Sequence, residues 1–307
     1  MYALNVENLS KTYSSKGSLD KIALVDFNLK VEKGSIFGLL GPNGAGKSTL
    51  INILAGTVNK TSGKASIMGV DIDQSPKLAK TKIGVVPQEV AIDTFFPVEE
   101  ALEFYAGYYG IRPQDRKTQE ILTALGLKDK AKSTSRQLSG GMKRRFLVAK
   151  AMVHSPDLLI LDEPTAGVDI ELRDQLWDYV LKLNKQGTTI ILTTHHLEEA
   201  EKLCDRIGFI DDGRLVKCDS KDNLLQDLAV KELYVILNKK ITSIPKNLAK
   251  YDISVLADHK IKIKYNKNQD MLAKILADIS ESGLEIQDLS IIEGNLEDVF
   301  RQLYKKI

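Results

Sequence analysis

The chain has 307 residues, room for one large domain and a smaller one. Its apolar share of 43% and charged share of 27% are ordinary for a globular protein, and a net charge of only +2 argues against a nucleic-acid partner. Cys204 and Cys218 make neither a disulfide framework nor a metal motif, the first residues lack the basic start and apolar core of a secretory leader, and no apolar run approaches the roughly 20 residues that span a bilayer. Work at a membrane would need another chain to cross it.

Residues 3–8 and 23–31 read as strands. In the second, Phe27, Leu29 and Val31 alternate with Asn28 and Lys30, the pattern of a half-buried antiparallel strand. The polar stretch between them runs from Tyr13 to Lys21. Tyr13 is either loop packing or an aromatic platform for a base, and its position leaves both readings open.

The apolar run Ser35-Ile36-Phe37-Gly38-Leu39-Leu40 is strand-like, and Leu50 to Ala55 is helical, stopping at Gly56. Between them lies Gly41-Pro42-Asn43-Gly44-Ala45-Gly46-Lys47-Ser48-Thr49. It fits G-x-x-x-x-G-K-S/T at every fixed position, in the strand–loop–helix context that motif needs. The glycines let successive backbone N–H groups turn around a phosphate. The helix that follows aims its unpaired N–H groups and positive end at the same anion. Lys47 is expected to reach the β- and γ-phosphates, and the Ser48 hydroxyl to ligate Mg²⁺.

Residues 64–68 read as a strand and 75–81 as a short helix. Ile83 to Val86 is a short apolar strand, ended by Pro87, Gln88 and Glu89. From Val98 to about Leu127 the pattern is helical, in two segments, with Pro97 suited to a first helical position. Leu138-Ser139-Gly140-Gly141-Met142 opens another helix, a second anion-binding N-terminus. An N-cap accounts for Ser139 but not for the paired glycines.

Leu158 to Leu161 is a buried-strand run closed by Asp162, Glu163 and Pro164. Two carboxylates at the carboxyl end of a parallel strand sit where α/β sheets hold ligands. Gly167-Val168-Asp169 continues the loop, and 172–185 is a helix with the only tryptophan, Trp177. A third apolar strand, Thr188 to Leu192, ends in Thr193-Thr194-His195-His196, which puts His195 at the same sheet edge. A helix over 197–204 and a hairpin through Asp211-Asp212-Gly213 follow.

After a linker helix near 220–228 the pattern changes. Strands at 232–238, 253–257, 260–265 and 285–292 alternate with helices at 269–281 and 295–304 and a short one near 246–250. The order is β-α-β-β-α-β, a ferredoxin-like plan. Ile261, Ile263 and Tyr265 alternate with lysines, so one sheet face is wet, and Met271, Leu272, Ile275, Leu276 and Ile279 share a helix face.

With the phosphate loop, Gln88, the Leu138–Met142 run, the Asp162–Glu163 pair and His195 in this order, residues 2 to about 228 resemble the nucleotide-binding subunit of an ABC transporter. Ser139 precedes Asp162 by 23 residues and Asp162 precedes His195 by 33, in agreement with that family. The runs Pro164–Asp169 and Thr193–Glu201 look most like the daunorubicin-resistance-type (ABC-2) exporter branch, whose ATPase and membrane chains are separate. The tail Asn295-Leu296-Glu297-Asp298-Val299-Phe300 is similar to that branch's C-terminal domain.

The resemblance implies an α/β P-loop NTPase core, the ABC cassette, over residues 1–228. It carries an antiparallel β-subdomain and a helical subdomain at about 89–155, and an α+β accessory domain spans 229–307. It implies roles residue by residue. Tyr13 matches the residue that stacks on adenine, and Gly41 to Thr49 the phosphate cradle. Asp162 matches the Mg²⁺ carboxylate beside Ser48, and Gln88 a contact to Mg²⁺ that senses the membrane partner. Glu163 matches the general base and His195 the γ-phosphate switch, which with Lys47 and Gln88 make the catalytic set. Ser139, Gly140 and Gly141 match the motif that touches ATP on the other subunit, and Asp169 the loop crossing that interface. Met142 and Pro97 depart from the family's usual glutamine and capping threonine, away from the chemistry.

The function so implied is Mg-dependent ATP hydrolysis powering export through separate membrane-spanning permease subunits, by a head-to-tail homodimer that sandwiches two ATP. Such a chain sits on the cytoplasmic face of the membrane and binds no nucleic acid. An importer ATPase with a regulatory, ligand-binding C-terminal domain is the alternative, as is a non-transport ABC ATPase. The non-transport classes carry two cassettes or long coiled-coil insertions, and here one set of motifs stands with 92 residues between Lys47 and Ser139.

Overall fold

The computed structural model describes residues 1–14, 20–92, 95–166, 170–226, 230–241, 243–266, 272–292 and 294–304. Strands β1 (Tyr2–Tyr13) and β2 (Lys21–Glu32) pair antiparallel, and β2 alternates buried and exposed over its second half, as its sequence predicts. The wholly buried β3 (Ile36–Leu40) leads through the glycine-rich loop into α1 (Lys47–Leu54). Gly56, at φ 68, closes that helix in the left-handed conformation. With β4 (Ser62–Ile67) and β5 (Val70–Asp71), the first strands make a four-stranded antiparallel sheet ordered β2-β1-β4-β5.

After α2 (Pro76–Lys82) and β6 (Ile83–Val86), the chain becomes helical: α3 (Val98–Tyr108), α4 (Thr118–Ala124) and α5 (Gly140–Met152). Pro97 caps α3 from just outside, at ψ 150, instead of taking its first helical position. Helix α5 packs on α3, α4 and β6. Next come β7 (Leu158–Asp162), α6 (Ile170–Lys185), β8 (Thr189–Thr193), α7 (Leu197–Leu203), β9 (Arg206–Asp211) and β10 (Arg214–Ser220).

The second sheet is ordered β10-β9-β3-β8-β7-β6, with β9, β3, β8, β7 and β6 parallel in succession. Strands β3, β7 and β8 are buried at every residue, as central parallel strands require. Their register decides where function can sit. Leu39 lies opposite Thr193, Thr193 opposite Asp162, and Leu161 opposite Val86. The loops after β3, β8, β7 and β6 therefore leave from one edge. One core holds both sheets to α1, with Leu4, Phe27, Phe37, Leu50, Ile160 and Ile191 among its members.

The packing divides the chain into two units, Met1–Asp219 and Ser220–Ile307. The second contains α8 (Lys221–Gln226), β11 (Val230–Leu237), β12 (Asp252–Ala257), β13 (Lys260–Asn266), α9 (Leu272–Glu281), β14 (Ile286–Ile292) and α10 (Leu296–Tyr304). Its antiparallel sheet is ordered β12-β13-β11-β14. Strand β13 thus splits β11 from β12, as a ferredoxin-like plan requires. Ile275 and Ile279 of α9 pack on Leu233, Val235, Ile261 and Ile263. The expected helix near 246–250 is instead a series of turns. Leu248 N donates to Pro245 O and Tyr251 N to Leu248 O, both at 3.0 Å, bonds that span three residues and close no α-helical ring. Met271, expected on the apolar face of α9, lies outside the described residues.

Candidate functional site

The glycine-rich loop is held from outside as well as by its own turns. Gly46 stands at φ 110, and a Cβ there would lie 2.6 Å from Ala23 O, so only glycine lets the loop approach β2. The hairpin turn between β9 and β10 braces the other side. Gly213 N donates to Ala45 O at 2.9 Å, and Gly213 O accepts from Val25 N at 3.0 Å. Asp212 and Gly213 both have positive φ, 41 and 74, the conformation that suits a two-residue hairpin. Gly41 and Pro42 are half-buried, Asn43 and Gly44 exposed, Ala45 buried, Ser48 exposed and Thr49 half-buried.

Lys47 opens α1 and is buried. Its Nζ donates to Gly41 O at 2.6 Å and Pro42 O at 2.9 Å. Burial pulls its pKa down, and the charges of Glu163 and Asp162 pull it back up.

Asp162 ends β7, and its two oxygens face different elements. Oδ1 accepts from the Thr193 hydroxyl, while Ser48 Oγ lies 3.5 Å from Oδ2. Burial pushes the Asp162 carboxyl above its ordinary value, against the Thr193 bond, and the Glu163 charge adds to the rise. Glu163 follows at φ 47, a left-handed conformation that costs a non-glycine residue about 1–3 kcal/mol. Thr193 holds it there: Glu163 N donates to Thr193 O at 3.0 Å and to Thr193 Oγ1 at 3.2 Å. Glu163 Oε2 accepts from Gln88 Nε2 at 3.1 Å and lies 3.3 Å from His195 Nδ1. Carboxylate, amide and imidazole, 75 and 32 residues apart in sequence, thus converge at one strand edge.

Gln88 is exposed, but its backbone is pinned from α5. The buried Arg144 donates through Nη1 to Pro87 O and Gln88 O, both at 2.8 Å. Ser139 caps α5, accepting from Met142 N at 3.3 Å; Gly140 is exposed and Gly141 buried. Ser139 therefore stands at the N-terminus of a helix in the helical layer. Tyr13 ends β1, 39% exposed, with Lys11 Nζ 4.7 Å from its ring centroid. Asp169 lies outside the described residues.

Three groups at the site were not singled out from sequence. Thr193 joins Asp162 to Glu163, Arg144 pins Gln88, and the Asp212–Gly213 turn braces the loop. Arg144 carried a signal: a charged residue on a helix face otherwise turned to the core.

Fold and geometry define an ATP-binding cassette, and comparison with known proteins agrees. Residues 24–166 match the ABC transporter family model. The chain belongs to the ABC transporter family, as an ATPase. It is 37% identical to the linearmycin resistance ATP-binding protein LnrL of Bacillus subtilis (strain 168), over 98% of this chain and 97% of that one. It is 31% identical to the daunorubicin resistance ATP-binding protein DrrA3 of Streptomyces coeruleorubidus, over 98% and 95% respectively. The solved dimer of the ATP-binding cassette MJ0796, in a post-hydrolysis state bound to ADP and Pi, superposes with a TM-score of 0.65. It is 27% identical and covers 71% of this chain and 98% of its own.

Proposed function

We propose that this chain is the ATP-hydrolysing subunit of an exporter and works with separate membrane-spanning subunits. Among the described residues no helix is long and apolar enough to cross a membrane, so those subunits would hold the chain at the cytoplasmic face. Resistance is what both full-length relatives are named for, and outward transport is the direction that serves it.

The observation that carries the reading is the arrangement around Glu163. A water attacking the γ-phosphate must lose a proton. Glu163 takes it, and Gln88 and His195, both on Oε2, hold its carboxylate in place. Lys47 and the backbone N–H groups at the start of α1 balance charge on the phosphates. The residues fit Mg²⁺: Ser48 and Asp162 offer hard oxygens at one point, and the raised Asp162 carboxyl gains most from a cation. Gln88 would complete the set from the facing loop. When bound, Mg²⁺ neutralises charge on the β- and γ-oxygens. Fewer than three protein carboxylates are needed, since Mg²⁺ keeps waters and substrate phosphates as ligands. Tyr13, exposed at the end of β1, stacks on adenine.

Ser139, Gly140 and Gly141 serve the ATP of a second copy. They stand on the helical layer, so a head-to-tail pair brings them to the far side of a γ-phosphate, with Asp169 at the interface. ATP then holds the two copies together and its hydrolysis releases them.

Glu163→Gln tests both parts. It keeps shape and loses the base, so ATP should still bind by calorimetry while turnover falls by roughly 10²–10⁴. The same variant with ATP and Mg²⁺ should run as a dimer by light scattering, and a further Ser139→Arg should return it to monomer. Wild-type-like hydrolysis in Glu163→Gln overturns the base assignment; a monomer at saturating ATP overturns the sandwich in the isolated chain.

A further inference from the structure

Glu199 is a buried carboxylate that the chemistry above leaves without a part. It sits in the first turn of α7 and is 7% exposed. Its Oε2 accepts from two hydroxyls, Thr165 Oγ1 at 3.0 Å and Thr194 Oγ1 at 3.1 Å. Both threonines are 2% exposed. Its Oε1 faces Arg173 Nε of α6 at 3.6 Å, an ion pair too long to be a hydrogen bond. A carboxylate this far from water is costly to place unless its partners are fixed around it.

Both threonines stand beside the site. Thr165 comes two residues after Glu163, and Thr194 immediately before His195. Thr194 Oγ1 also accepts from His196 N at 2.9 Å, so the carboxylate reaches the backbone beyond β8 through one hydroxyl. Glu199 thus faces Thr165, after β7, and Arg173, in the first turn of α6. Sequence neighbours do not impose this, because Glu199 lies 34 residues from Thr165.

We propose that Glu199 is a positioning residue that ties the loop after β7 to the loop after β8, and so sets the approach of His195 to Glu163. The inference rests on Glu163 acting as the base. Glu199 touches neither the glycine-rich loop nor Tyr13, so its loss should spare nucleotide affinity and strike turnover.

The test is steady-state hydrolysis on the full chain. Glu199→Ala should lower kcat about 10- to 100-fold, the scale of a misplaced reacting group, with KM for ATP within about 2-fold. Glu199→Gln keeps an oxygen for the two hydroxyls and should recover kcat to within about 5-fold of wild type. Thr165→Val with Thr194→Val removes both bonds and leaves the charge; it should reproduce the kcat loss. Emission of Trp177, the single tryptophan, on α6, together with Tm, reports whether each variant is folded. If Glu199→Ala does not fold, the threonine pair and Glu199→Gln decide. Wild-type kcat in a folded Glu199→Ala or in the threonine pair overturns the proposal. So does a KM that rises in step with the fall in kcat, the mark of a merely structural role. Normal hydrolysis by Glu163→Gln would overturn the base instead, so the two failures are distinct.

Discussion

Lys47, Asp162 and Glu163 are each less than one-tenth exposed and converge on one sheet edge, whereas in the second unit partly exposed carboxylates are paired with lysines across the sheet or between elements. Burial would raise the Glu232 carboxyl, but bonds from Tyr234 and Lys262 hold it below its ordinary value. Asp278 is likewise held down by Lys250 and Tyr251. These carboxylates are at ease in the folded state. Asp162 is pushed the other way, by burial first and by Glu163 besides. The buried Asp162 carboxylate beside Glu163 opposes folding, and Glu163 adds a left-handed backbone. Charge kept under such conditions answers to a ligand, and charge paired at the surface answers to water.

That contrast can be broken by experiment. After Glu163→Gln, the next largest loss should come from Asp162→Asn. On the proposed role of Asp162 as metal carboxylate, its removal should cut turnover about 10²-fold, roughly 2.7 kcal/mol of lost charge stabilisation. The same change should raise Tm by ~2–4 °C for each kcal/mol of relieved burial cost. The pH dependence has the same sign. The folded Asp162 pKa lies above the unfolded value of 3.8, so ionisation opposes folding at neutral pH, and that cost is relieved as pH falls through the raised value. A lower Tm in Asp162→Asn would mean that the carboxylate stabilises the fold, and the comparison would fail. Tyr13→Ala should lose ~1–3 kcal/mol of nucleotide affinity, with Tyr13→Trp tolerated. Unchanged calorimetric affinity would return Tyr13 to plain surface packing. The smallest effect belongs to the second unit. Glu232→Gln should leave ATP hydrolysis unchanged and lower Tm only slightly, since solvated ion pairs contribute little.

Much of this was legible in sequence because it is local. The glycine-rich loop, the apolar runs of β3, β7 and β8, and the residues closing them lie in contiguous stretches whose patterning names their structure. The split βαβ order of the second unit was legible for the same reason, through alternation in β13 and the apolar face of α9. The run 246–250 was misread because five residues with one or two apolar positions fit a helical turn and a chain of reverse turns equally well.

By itself, then, the sequence determined which groups are present: a glycine-rich loop, a carboxylate pair, a glutamine and a histidine, each at the end of an apolar strand. Only the tertiary structure decided what holds them. Strand register sets Asp162 opposite Thr193, and from that pairing the Thr193 hydroxyl reaches both Asp162 and the Glu163 backbone. Arg144 on Gln88, Gly213 on Ala45 and Glu199 on two loops are likewise contacts across 56, 168 and up to 34 residues of chain. The physical reason is that a buried polar group must find a partner, and which partner it finds is set by what packing brings within 3 Å, not by its neighbours along the chain.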